Sequence, residues 1–127
     1  MTTTDEIILT IPRDRAVYRV AHLVLGGVGI RLNLTFEHLE DLQLALEAVL
    51  DRVRTDPITV TLRVNDDEME MLVGPVGDRV RAELAADGGE DVGLRRILDA
   101  VVDRVELEPG DHGDVLKMTK AVGREDV

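Results

Sequence analysis

The sequence predicts an α+β protein, a two-layer sandwich in which a mixed, mostly antiparallel sheet of about five strands is covered on one face by three helices. Short runs in which apolar and polar residues alternate read as strands, and three longer stretches whose apolar residues recur at three- and four-residue steps read as helices. Composition agrees: 127 residues, 44% apolar but only 2% aromatic, supply one core of Val, Leu, Ile, Ala and Met and no platform for stacking bases.

The first strand spans 6–11, a β-branched run that includes Ile7, Ile8 and Ile11 and is stopped by Pro12. A helix follows from Arg13, with Val17, Val20, Ala21, Val24, Leu25 and Val28 on one stripe, and it is expected to end at Gly26, Gly27 and Gly29. Thr35 is the N-cap of a second helix, in which Leu39, Leu42, Leu46, Val49, Leu50 and Val53 keep the helical period up to the stop at Asp56 and Pro57. Ile58, Val60, Leu62 and Val64 then alternate with polar residues, and after Asn65, Asp66 and Asp67 the alternation resumes through Met69, Met71 and Val73, which predicts two antiparallel strands and a polar turn.

Gly and Pro punctuate 74–91, which reads as a long loop or lid with a broken turn of helix. Leu94, Ile97, Leu98, Val101, Val102 and Val105 form a third helical stripe starting next to Gly93. Strands at 105–108 and 114–119 close the chain around a turn at Pro109, Gly110 and Asp111. One domain is expected over 1–122, with a frayed tail at 123–127.

A formal charge of −11 argues against nucleic acid as a direct ligand, because phosphate-tracking proteins need clustered Lys and Arg. Acidity does favour solubility and steering toward a basic partner. The densest acidic cluster, Asp66, Asp67, Glu68 and Glu70, reads as a solvated turn and edge strand. The chain has no Cys and no Ser, which excludes thiolate chemistry, a serine nucleophile and a phosphoacceptor serine. Neither a secretory leader nor a stretch of membrane-spanning length is legible, so the expected location is the cytoplasm, with no membrane association. The three histidines, His22, His38 and His112, have no metal-ligand spacing, and His38 reads as a helix-surface residue.

The pair Glu47 and Asp51 stands out, since residues four apart project from the same helix face and like charges there are mildly destabilising. Either a cation or a catalytic task explains them, or a basic neighbour such as Arg52 or Arg54 neutralises them on a solvated face. The glycines Gly77, Gly88, Gly89 and Gly93 likewise have two readings. They bring backbone amides and a helix start close to phosphate oxygens, or they serve turns that require positive φ.

The order of these elements resembles the anti-sigma factors of the RsbW type, which carry the histidine-kinase-like ATPase fold and act in many members as serine-protein kinases. The resemblance covers most of the chain: Ile8 to Pro12 leading into a helix, Leu34-Thr35-Phe36-Glu37-His38-Leu39-Glu40-Asp41-Leu42-Gln43-Leu44-Ala45-Leu46-Glu47-Ala48, Gly93-Leu94-Arg95-Arg96-Ile97-Leu98, and Val115-Leu116-Lys117-Met118-Thr119-Lys120. It implies Glu47 as general base and Asp51 at the place of an Asn that holds Mg²⁺, an exchange that keeps an oxygen ligand and adds charge. It also implies nucleotide contacts along Gly74, Gly77, Gly88, Gly89 and Gly93. The family's Asp-x-Gly, whose Asp reads the adenine amino group, is replaced by Val73-Gly74-Pro75-Val76-Gly77, and Asp78 comes too late. Such a loss costs about 1.5–3 kcal/mol, roughly 10- to 150-fold in affinity. ATP and Mg²⁺ are thus weakened as cofactors.

The implied partners are a sigma factor and an anti-anti-sigma antagonist, held by a homodimer. Membership of the anti-anti-sigma group itself is disfavoured, because no Ser exists and no Thr lies near Gly93.

Overall fold

The register of the sheet decides which residues become core. In the computed structural model, which describes residues 5–31, 34–65, 67–85 and 93–122, five strands lie in the order β1-β2-β3-β5-β4, with every pairing antiparallel. They are β1 (Asp5–Ile11), β2 (Ile58–Val64), β3 (Glu68–Gly74), β4 (Arg104–Gly110) and β5 (Gly113–Ala121). Registration aligns Leu9, Val60, Val73, Leu116 and Leu107 in one row across the sheet, and Ile7, Leu62, Met71, Met118 and Val105 in the next. Strand side chains alternate between faces, so both rows point to one side, where the helices cover them.

The helices are α1 (Arg15–Arg31), α2 (Phe36–Leu50), α3 (Gly77–Ala85) and α4 (Leu94–Val101). Ala21 and Leu25 of α1, Leu42, Leu46, Val49 and Leu50 of α2, Val80 of α3, and Leu94 and Leu98 of α4 join the strand rows in a single buried cluster. The α+β sandwich expected from periodicity is therefore the fold. Its opposite sheet face is polar: Arg63 pairs with Glu6 at 2.7 Å, and Lys117 reaches Glu70 at 3.2 Å and Glu108 at 3.4 Å. Burial opposes the charge on Lys117, but its hydrogen bond to Glu70, with the charges of Glu70 and Glu108, raises its pKa.

Thr35 caps α2 as expected, its Oγ1 accepting from the His38 N–H at 3.1 Å, and Glu37 in the first turn suits the helix dipole. Several other boundaries differ from the sequence reading. Helix α1 runs through Gly26, Gly27 and Gly29 rather than ending there. Gly29 thins the helix where it meets α2: it is buried, and a Cβ on it would lie 3.0 Å from Leu39 Cδ1. Helix α2 stops at Leu50, and Val53 packs into the core from beyond it.

The segment expected to be a loop holds α3, nine residues anchored by Val80, which is fully buried, and by half-buried Leu84 one turn on. One i,i+4 apolar pair is too short a pattern to declare itself. The rest of that expected lid, 86–91, residue 92 and the tail 123–127 lie outside the described residues. Helix α4 ends at Val101, and Val105 belongs to β4, because β-branched residues serve a strand as readily as a helical stripe. Glu68 and Glu70 sit on β3, an interior strand and not an edge, with Arg104 3.2 Å from Glu68. The closing turn is Asp111-His112, between the paired Gly110 and Gly113, while Pro109 lies within the edge strand β4. A Cβ on Gly110 would stand 2.7 Å from the Gly113 carbonyl oxygen, so this hairpin needs glycine there.

Candidate functional site

Glu47 and Asp51 lie on the same side of α2 but in two different clefts. Glu47, near the helix's C-terminal end, is exposed and borders a cleft of about 460 Å³ with His22 of α1 and Glu40, Asp41 and Gln43 of α2. Among the described residues, no group of three or more His, Cys, Asp or Glu side chains is placed to hold a metal ion. The Glu47 carboxylate is thus open to solvent and to a reacting group, with no metal-binding cluster around it.

Asp51 is the C-cap of α2, its backbone N–H donating to the Glu47 carbonyl at 3.0 Å. Its carboxylate stands 3.6 Å from the Arg15 guanidinium at the start of α1. It borders a separate cleft of about 440 Å³ together with Arg13, Arg15, Tyr18 and Arg54. Buried Leu50 and Val53 line the same space. Burial pushes the Tyr18 hydroxyl above its usual pKa, opposed by the Arg13 charge and assisted by Asp51. A basic neighbour does neutralise Asp51, but it is Arg15, not Arg52 or Arg54. The Arg52 side chain is turned the other way, donating to Glu83 of α3 at 2.9 Å and to the Ala48 carbonyl at 2.9 Å.

Gly74 and Gly77 flank a different region, the exit of β3. Gly74 is buried, and a Cβ on it would lie 2.9 Å from Val115 Cγ2 and 3.3 Å from Val115 Cα. Gly77 has φ 77°, the left-handed region that favours glycine, and Thr55 Oγ1 donates to the neighbouring Pro75 carbonyl. Gly93 is the N-cap of α4, in extended conformation and with no side-chain cap bond, and a Cβ there would meet nothing within 4 Å. Neither carboxylate cleft is lined by Gly74, Gly77 or Gly93. Gly88 and Gly89 lie outside the described residues.

Two observations bear on whether ATP and Mg²⁺ suit these residues. The exit of β3, Val73-Gly74-Pro75-Val76-Gly77, carries no carboxylate to read an adenine amino group. The one carboxylate at the expected metal position is engaged by a guanidinium. The described residues thus offer no adenine-reading carboxylate at the exit of β3 and a paired carboxylate at the position the resemblance gives to the metal. Sequence reading missed Arg13, Arg15 and Tyr18 as neighbours of Asp51; the available signal was two arginines astride the strand-to-helix junction in an otherwise acidic chain.

An open antiparallel sheet of five strands with its helices on one face is the architecture of the histidine-kinase-like ATPases. No family model matches the chain. Relatives do: the serine-protein kinase RsbW of Halalkalibacterium halodurans is 30% identical over 142 positions, covering 97% of this chain and 87% of the relative. Those of Listeria monocytogenes and Oceanobacillus iheyensis are 27% and 24% identical, covering 99% and 100% of this chain and 93% of each relative. The chain belongs to the RsbW serine-protein kinase family. Its 127 residues are fewer than the 142 aligned positions, so the Halalkalibacterium relative carries insertions that this chain lacks. Among the described residues, no helix is long and apolar enough to cross a membrane.

Proposed function

We propose that this chain is an anti-sigma regulator that acts by protein binding: it sequesters an RNA polymerase sigma subunit, is released by an anti-anti-sigma antagonist, and has weak or absent affinity for nucleotide. The observation that carries this reading is the exit of β3, Val73-Gly74-Pro75-Val76-Gly77, which holds no carboxylate where the family's Asp-x-Gly puts one. The engagement of Asp51 by Arg15 supports it. The working form is a cytoplasmic homodimer of one domain over 1–122.

Glu47 favours a second reading, an ATP- and Mg²⁺-dependent serine-protein kinase that phosphorylates the antagonist. Its carboxylate is exposed beside a cleft, as a general base approached by an acceptor hydroxyl must be. In that reading Asp51 would take the metal and the glycines Gly74, Gly77, Gly88, Gly89 and Gly93 the nucleotide.

Co-purification with the sigma factors and antagonists of the same cell, paired with calorimetry using Mg-ATP and Mg-ADP on the protein and on Glu47→Ala, separates the two. Sigma capture without heat from millimolar nucleotide is expected. Failure to retain any sigma factor or antagonist would sink the first reading, and phosphate transfer abolished by Glu47→Ala would establish the second.

A further inference from the structure

We propose that the outward face of α1 is the contact between two copies of this chain, paired antiparallel about a two-fold axis at Leu23. The inference rests on the homodimer of the reading above and names its surface. Apart from Arg15, Tyr18, Arg19, His22 and Arg31, α1 carries only apolar residues and glycine. One side, with Ala21, Leu25 and Gly29, is buried in the core. The opposite side is Ala16, Val20, Leu23, Gly27 and Ile30, all exposed, with Leu23 at 75% and Ile30 at 79%. A helix that is apolar all round is normally buried all round, and among the described residues no helix is long and apolar enough to cross a membrane.

The exposed residues are spaced four, three, four and three apart, which is the narrow seam of a contact between two coiled helices. Reversed about Leu23, the seam complements itself in size. Ile30 of one copy meets the partner's Ala16, and Val20 meets the partner's Gly27, so each of these layers sets a large side chain against a small residue. A parallel pair would stack Gly27 on Gly27 and leave a void in that layer. Packing within one copy does not ask for glycine at this position, because a Cβ on Gly27 would meet nothing within 4 Å of its own chain.

Charge selects the occupant. Asp14 and Glu37 bound the longest run of the chain without an acidic residue, and α1 fills most of it. Two molecules of net charge −11 can approach there without setting carboxylate against carboxylate. A basic partner, which the rest of the surface attracts, would meet the exposed Arg19 and Arg31 on this helix.

Sedimentation equilibrium of the full chain tests the surface. The unmodified chain should be dimeric at about 0.1 mM. Its association should tighten as sodium chloride rises from about 0.01 to 0.15 M, because screening relieves repulsion between acidic molecules and leaves an apolar seam intact. Leu23→Asp should weaken association about a hundredfold with unchanged circular dichroism, while Ile8→Asp, at an exposed residue of the edge strand β1, should leave it intact. The chain has no cysteine, so Leu23→Cys should close a disulfide between copies on oxidation, and Ala16→Cys mixed with Ile30→Cys should cross-link where neither does alone. The cross-links decide the matter if Leu23→Asp misfolds. A monomeric chain would overturn the proposal and the homodimer together. A dimer that survives Leu23→Asp, is lost in Ile8→Asp, loosens with salt or cross-links through Ala16→Cys alone would overturn the proposal and leave the homodimer standing.

Discussion

At position 74 the absent side chain and its close neighbour act together. Gly74 lies in β3 at the edge of the core, with Val115 of β5 so near that a Cβ would come within 2.9 Å of a methyl carbon and 3.3 Å of the backbone. Backbone does not yield as a flexible side chain does, so Gly74→Asp should overpack the site and bury a charge. A loss of about 1–3 kcal/mol from overpacking alone is expected, measured as a lower urea midpoint with unchanged slope. Pro75→Asp, which recreates an Asp-x-Gly ending on Gly77, should register no gain in affinity for Mg-ATP by calorimetry, whereas a gain of about tenfold would show that only the missing carboxylate had limited the site. The residue-level chemistry was partly legible beforehand. Glu47 and Asp51 could be placed on one helix face from spacing, and the segment from Val73 to Gly77 could be seen to lack a carboxylate. The pairing of Asp51 with Arg15, thirty-six positions away in sequence, depends on how α1 crosses α2, which no local pattern encodes.

At the scale of elements, the strands and α2 were readable because alternation and the Thr35 cap are local signals. The end of α1 was not, because glycine reads as a terminator whether or not a neighbouring helix requires a thin surface. Each of its glycines can be tested for which role it plays. Gly27 is exposed, and a Cβ there would meet nothing within 4 Å, so Gly27→Ala should stabilise the protein by about 0.5–1 kcal/mol through helix propensity. Gly29, with Leu39 at 3.0 Å from the added Cβ, should gain less or lose, and thermal melting of the two variants gives the ordering. Helix α3, hidden from periodicity, is tied to α2 by Glu83, which receives Arg52 at 2.9 Å and Arg79 at 3.2 Å. Burial works against the Glu83 charge, but the hydrogen bonds and charges of Arg52 and Arg79 together hold its pKa below the usual carboxylate range. A carboxyl depressed in the folded state stabilises fully above its unfolded pKa, and that stabilisation fades as pH falls through the folded value. Glu83→Gln should therefore flatten the acid limb of the stability profile between neutral pH and about pH 3, and identical limbs in the two proteins would deny α3 this anchor.

For the whole molecule the controlling quantity is net charge, −11 from 26 acidic and 15 basic residues. Two salt effects compete. Exposed ion pairs, such as Arg95 with Asp99 at 3.2 Å on α4, are each worth about 0–1 kcal/mol and weaken on screening. Repulsion among the surplus carboxylates acts between all of them and is also screened, over a length of about 30 Å at 0.01 M salt and 8 Å at 0.15 M. Since the acidic residues outnumber the basic by eleven, most of what salt removes is repulsion, and the compact state should gain. The melting temperature should rise as sodium chloride increases from about 0.01 to 0.15 M, and a fall would mean that the local pairs outweigh the global field. Capture of a basic partner should respond in the opposite direction over the same interval, because screening weakens the attraction that speeds encounter. Stopped-flow association rates measured beside the melts would then show stability climbing while the on-rate drops, a divergence that neither a neutral surface nor a purely apolar interface would produce.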